Sequence, residues 1–156
     1  MSIKISFKKT IALNLIKNYV LFCDENFSVN NLRKYLSISE TSYISDLIKT
    51  SDLKKKLLVF KINSKKTIFI IPIKKNFLSS ELENLGGEFH KYINYEKKND
   101  YVINSDSAKT KIKNFLGYFL HGLKLRSYRF KKYKTKEKKN IIYLNVIGKI
   151  NIPSYY

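Results

Sequence analysis

Two histidines, His90 and His121, are the imidazoles of this 156-residue chain, and a metal site or a general base would draw on them first. They stand far apart, and neither belongs to an HExxH pattern, which puts two ligands on one helix face. His90 follows Phe89 on a stretch of helical periodicity. His121 lies opposite the apolar stripe of another. Both read as surface or partly buried histidines rather than ligands. Glu81, Glu83 and Glu88 share one predicted helix, with spacing that suits capping and solvation; acid–base work needs two carboxylates in one cleft with separated pKa values. Asp24 and Glu25 directly follow an apolar strand, and the carboxyl end of a strand is where α/β domains often place sites. The same pair reads equally as a turn. Cys23 is the one cysteine, inside an apolar run, so it reads as a buried thiol in a reducing compartment. No serine occupies a nucleophile elbow. Arg126 falls within the apolar stripe of its helix. Either the helix bends by then, or its stem packs and its guanidinium reaches outward; the sharper reading is an anion contact, with Arg129 as the second candidate. The residues thus offer no catalytic and no metal-binding constellation.

The elements that would carry these residues follow from periodicity. Ile3–Phe7 alternates and predicts an edge strand. Tyr19–Cys23 is a continuous apolar run, predicting a strand buried on both faces. Asp24–Ser39 is polar and irregular. Thr41–Thr50 spaces Tyr43, Ile44, Leu47 and Ile48 as a helix does. Leu57–Ile62 and Thr67–Ile73 predict a hairpin, with Pro72 at a strand end. Ser80 with Glu83 three residues later reads as a capping box for a helix striped by Leu82, Leu85, Phe89 and Ile93. Gly86-Gly87 in its middle is costly by propensity and implies close packing against a neighbour. Tyr101–Ile103 is a short strand. Ser105, Asp106 or Ser107 would cap the longest helix, running to about Tyr133 with the stripe Ile112, Phe115, Leu116, Phe119, Leu123 and Phe130. Gly122 beside that stripe would let the helix approach a sheet. Ile141–Ile147 is the last strand. Interleaved strands and helices give one α/β domain with a mixed sheet. No glycine-rich strand-to-helix turn of the dinucleotide or P-loop kind is present.

Charge is the loudest compositional feature: 31 Lys+Arg against 12 Asp+Glu, net +19. All but three of the cations (Arg33, Arg126 and Arg129) are lysine, and alanine occurs only at Ala12 and Ala108. That bias matches compositional drift in an AT-rich genome. Base-specific readers favour the arginine fork, so the charge implies at most weak, nonspecific nucleic-acid binding. The 44% hydrophobic content is enough for a core. No signal peptide is convincing and no run reaches the ~20 apolar residues of a membrane span, so a cytoplasmic location without a membrane partner is the expectation.

Phe115–Thr135, FLGYFLHGLKLRSYRFKKYKT, resembles the end of the amino-terminal domain of leucyl (cytosol) aminopeptidases, where a helix of small and apolar residues leads into "SYRF-x-x-Y-K". The matching residues are Ser127, Tyr128, Arg129, Phe130, Tyr133 and Lys134. Tyr19–Phe27 (YVLFCDENF) resembles the family's early strand, and Glu81–Ile93 (ELENLGGEFHKYI) its "LGG" helix. The resemblance implies a macro-domain-like mixed sheet flanked by helices over residues 1–140, with 141–156 as last strand and start of a linker to a catalytic domain of the same polypeptide. It implies a parent metallopeptidase carrying two divalent metals, zinc or manganese, assembled as a homohexamer. The family's metal-binding signature reads like NTDAEGR and has no counterpart here, so no cofactor ligand is carried over and the chain alone is expected to be inactive. Nor does the resemblance imply ADP-ribose binding, because the glycine-rich phosphate loop is not visible in this sequence. The free-standing alternative is a basic module binding polyanions. The apolar tail Ile150–Tyr156 would suit a partner surface.

Overall fold

In the computed structural model, residues 2–52, 54–95, 99–108, 112, 114–133 and 141–148 are described. Six strands form one sheet: β1 (Ser2–Lys8), β2 (Asn18–Cys23), β3 (Leu58–Lys61), β4 (Thr67–Pro72), β5 (Asp100–Asn104) and β6 (Ile141–Ile147). Their order is β1-β6-β5-β2-β4-β3. All neighbours are parallel except β3, which runs antiparallel to β4. The helices are α1 (Ile38–Thr50), α2 (Ser79–Tyr95) and α3 (Phe115–Tyr133). The α/β class with a mixed sheet is therefore correct.

Central β2 is buried at every position, as a strand covered on both faces must be. Its even-numbered residues Val20 and Phe22 enter the core beneath α2 and α3, with Phe69, Phe89, Phe119 and Leu144. Tyr19, Leu21 and Cys23 enter a second core with Phe27, Leu32, Leu36 and Ile44. The polar-looking stretch before α1 thus contributes cover for the second face. Pro72 closes β4, and the hairpin of β3 and β4 is present.

Several local expectations are corrected. A full capping box starts α1, where Ser37 Oγ accepts from the Glu40 N–H and Glu40 returns to the Ser37 N–H. Helix α2 begins at Ser79, one residue early, and Glu81 rather than Glu83 reaches back, to the Leu78 N–H. Helix α3 begins at Phe115, not after Ser105–Ser107, which form a separate 3-10 turn; Ile112 lies outside the helix. Gly122 approaches α2, not the sheet: a Cβ there would strike the Glu83 carbonyl, and one on Gly86 would strike the Phe119 carbonyl. The two helices therefore touch backbone to backbone at a reciprocal pair of glycines.

Glu40 also latches the hairpin. Its carboxylate lies 2.7 Å from Lys66 Nζ, both side chains largely buried. Burial alone would raise the Glu40 pKa, but the hydrogen bonds from Lys66 and Ser37 outweigh it and hold the pKa below its ordinary value.

Candidate functional site

Because β2, β4, β5 and β6 are parallel, their carboxyl ends Cys23, Pro72, Asn104 and Ile147 lie along one edge. Among doubly covered sheets this edge is where ligands are usually held. Here the polar groups at its centre bond to one another. Ser107 Oγ accepts from the Phe22 N–H at 2.8 Å and donates to the Asn104 carbonyl at 2.6 Å. Ser105 Oγ donates to the Ile147 carbonyl at 2.8 Å. Asn104 donates to the Tyr19 hydroxyl and accepts from the Asp106 N–H, while Tyr35 donates to the Asp106 carbonyl. Burial raises the Tyr19 pKa, partly offset by its bond with Asn104. Gly148 leaves β6 at φ +134°, where a Cβ would meet Ser105 Oγ. The 105–107 turn is thus tied to both strands beside β5.

Asp24 is a turn residue, accepting from the N–H groups of Asn26 and Ser28. The turn carries Phe27 at φ 53° into the second core. Glu25 and Glu81 line a neighbouring cleft of ≈530 Å³ together with Lys54, Lys55, Lys56 and Lys74, so lysines outnumber carboxylates around it. Cys23 is buried, and that burial, with Asp24 nearby, pushes its thiol up to about 12. It stays protonated at neutral pH, the opposite of an activated nucleophile.

His90 is buried at 1% exposure, rather than at or near the surface. Burial first, then the Arg126 charge, lowers its pKa from 6.5 to about 4. A lowered folded pKa means that the unfolded chain takes up the proton first as pH falls. The stability held by keeping His90 neutral is complete above pH 6.5 and is lost as pH falls through the folded value near 4. The loss is up to ~3 kcal/mol. Urea melts across that range should show a shallower pH slope in His90→Gln; an unchanged slope would place the acid sensitivity elsewhere.

His121 Nδ1 lies 3.2 Å from Glu83 Oε1 across the α2–α3 seam. Arg126 is exposed overall, but its Cβ lies 3.9 Å from where a Cβ on Gly87 of α2 would stand, as expected of a packed stem with an outward guanidinium; it borders a ≈270 Å³ groove with Lys56, Gly87, Glu83 and Glu88. Ser127 is buried at 8% exposure, while Tyr128 next to it is 69% exposed. Arg129, Phe130 and Tyr133 belong to α3, but their side chains lie outside the described residues, as do Lys134 and the tail Ile150–Tyr156. Among the described residues, no three of His, Cys, Asp and Glu come together as a metal site would require, and no helix is long and apolar enough to cross a membrane. Among the described residues the donor set does not fit two-metal chemistry.

No family model matches the chain, and no curated protein matches it. Solved structures do. A mutant of tomato leucine aminopeptidase superposes with a TM-score of 0.67 and 13% identity, over 97% of this chain and 34% of that one. The macrodomain of Thermus aquaticus DarG superposes with a TM-score of 0.58 and 10% identity, over 94% of this chain and 99% of that one. The chain thus spans about a third of the aminopeptidase it resembles and nearly the whole of the macrodomain. At such identities the likeness shows the fold, which is a macro-domain-like α/β sandwich.

Proposed function

We propose that this chain is a non-catalytic domain of a leucyl-aminopeptidase-type protein, packing beside a metal-dependent catalytic domain that removes amino-terminal residues from peptides. The observation that carries this reading is the overlap of 97% of the chain with part of a leucine aminopeptidase, at a higher TM-score than with the macrodomain. The interlocked helices and the self-bonded carboxyl edge support it, since they make a rigid unit whose strand-end polar groups satisfy one another. The test is the genomic sequence around this reading frame. A catalytic domain with an NTDAEGR-like signature, in the same or an adjacent frame, is the expected finding. A frame flanked by unrelated genes would overturn the reading.

A second reading is a free-standing basic module that binds polyanions. Its support is the match to 99% of the length of a macrodomain, together with the net charge of +19.

A further inference from the structure

Around the carboxyl-edge cleft Lys54, Lys55, Lys56 and Lys74 share the lining with Glu25 and Glu81, and Lys56 lies 3.9 Å from Glu88, so carboxylates stand among those lysines. The opposite half of the sheet is different. Alternation in β1 sends Ile3, Ile5 and Phe7 toward the α2/α3 core, leaving Lys4, Ser6 and Lys8 on the other face, where all three are exposed. On β6, Ile142, Leu144 and Val146 point into the core and Tyr143 points the other way, 43% exposed.

Parallel strands are normally covered on both faces, yet this pair presents an aromatic ring and lysines to solvent. Lys4 is the register partner of Tyr143, and Lys8 lies further along the same strand. Asp100, on the other side of Tyr143, is the carboxylate in that row. No ion pair engages Lys4 or Lys8 among the described residues.

An exposed ring on a sheet with lysines along the neighbouring strand can hold unpaired bases: the ring stacks on a base and the ammonium groups meet phosphates. A duplex keeps its bases stacked on one another and offers only the phosphates. We propose that the open face of β1 and β6 binds single-stranded nucleic acid, with a base on Tyr143 and the backbone along Lys4 and Lys8. Lysine gives affinity without a bidentate base fork, so binding is indifferent to sequence. This deepens the polyanion reading and is independent of the aminopeptidase one.

The test is fluorescence anisotropy of the full 156-residue chain with a labelled mixed-sequence strand of roughly 15 nucleotides, and with the same strand as a duplex, from about 50 to 200 mM salt. The single strand should bind more tightly than the duplex. Tyr143→Ala should weaken it about tenfold, the order that loss of one base–aromatic stack brings, and Tyr143→Phe should restore it. The double variant Lys4→Gln/Lys8→Gln should flatten the logarithmic salt slope by about 1.4, two phosphate contacts on a single strand. These lysines are exposed, so this variant carries the test even if Tyr143→Ala folds poorly. Equal or tighter duplex binding, or a folded Tyr143→Ala that binds like wild type, overturns the proposal. So does displacement of the strand by phosphatidylserine vesicles equally from wild type and Tyr143→Ala. If wild type binds neither strand nor duplex, the polyanion reading falls as well; binding insensitive to Tyr143 sinks the placement alone.

Discussion

Phe119→Ala is expected to destabilise the domain by about 3–5 kcal/mol, the range for emptying a fully buried aromatic site. Phe119 is 0% exposed. Its ring meets Phe22 of β2 edge to face, with centroids 5.3 Å apart, and Phe89 of α2 at 5.9 Å. One ring therefore joins the central strand and both helices of the layer, and aromatic pairs of this geometry add to the area term. The neighbours are themselves large rings on rigid elements, so the space would collapse only in part. Urea unfolding gives the value directly. A change below ~1 kcal/mol would mean that the ring is not in the core and would invert the orientation of α3.

Gly122→Ala should also be strongly destabilising, at or beyond the upper end of the ~1–3 kcal/mol usual for overpacking. The added methyl would land on the Glu83 backbone carbonyl, and backbone cannot rotate away as a long side chain can. Helix α3 would have to move off α2, straining the reciprocal contact of Gly86 with the Phe119 carbonyl and the His121–Glu83 pair at 3.2 Å. Helix propensity pulls the other way, favouring alanine by ~1 kcal/mol, so the sign of the result is informative. Gly87→Ala is the control. Its methyl would sit 3.9 Å from the nearest atoms, Arg126 Cβ and the Gly122 carbonyl, and should be neutral or stabilising. A stable Gly122→Ala would mean that the helices do not touch there.

What the sequence made legible was what periodicity controls. The run Tyr19–Cys23 announces a strand buried on both faces, and the stripe Leu82, Leu85, Phe89 and Ile93 is buried throughout. Alternation in β1 marks both its inward residues and its exposed lysines. Other features depended on distant partners. Ser105-Asp106-Ser107 has the chemistry of a helix cap, but the same hydroxyls can satisfy strand ends, and the Phe22 N–H and Ile147 carbonyl claim them. The segment Ser79–Glu83 offers two frames for a helix start. Glu81 takes the cap and Glu83 is drawn to His121.

After Leu123 the next buried position of α3 is Ser127, a small polar residue that an apolar stripe does not register, while Arg126 beside it keeps its Cβ near Gly87 of α2 with the residue as a whole exposed. Gly122 signalled a close approach correctly, but one residue without a side chain cannot say whether a sheet or a helix arrives. His90 was misjudged for a related reason: its burial follows from the proximity of α3 to α2, which no local spacing reveals.

Hydrolysis of leucine p-nitroanilide with added manganese tests most directly whether this domain lacks chemistry of its own. Two-metal hydrolysis requires a ligand cluster that activates water; among the described residues no such cluster forms, and the thiol of Cys23 is held protonated. The purified 156-residue chain should show no turnover above the metal-only blank. Turnover that scales with protein concentration, survives further purification and is abolished by a chelator would contradict the domain's assignment as non-catalytic.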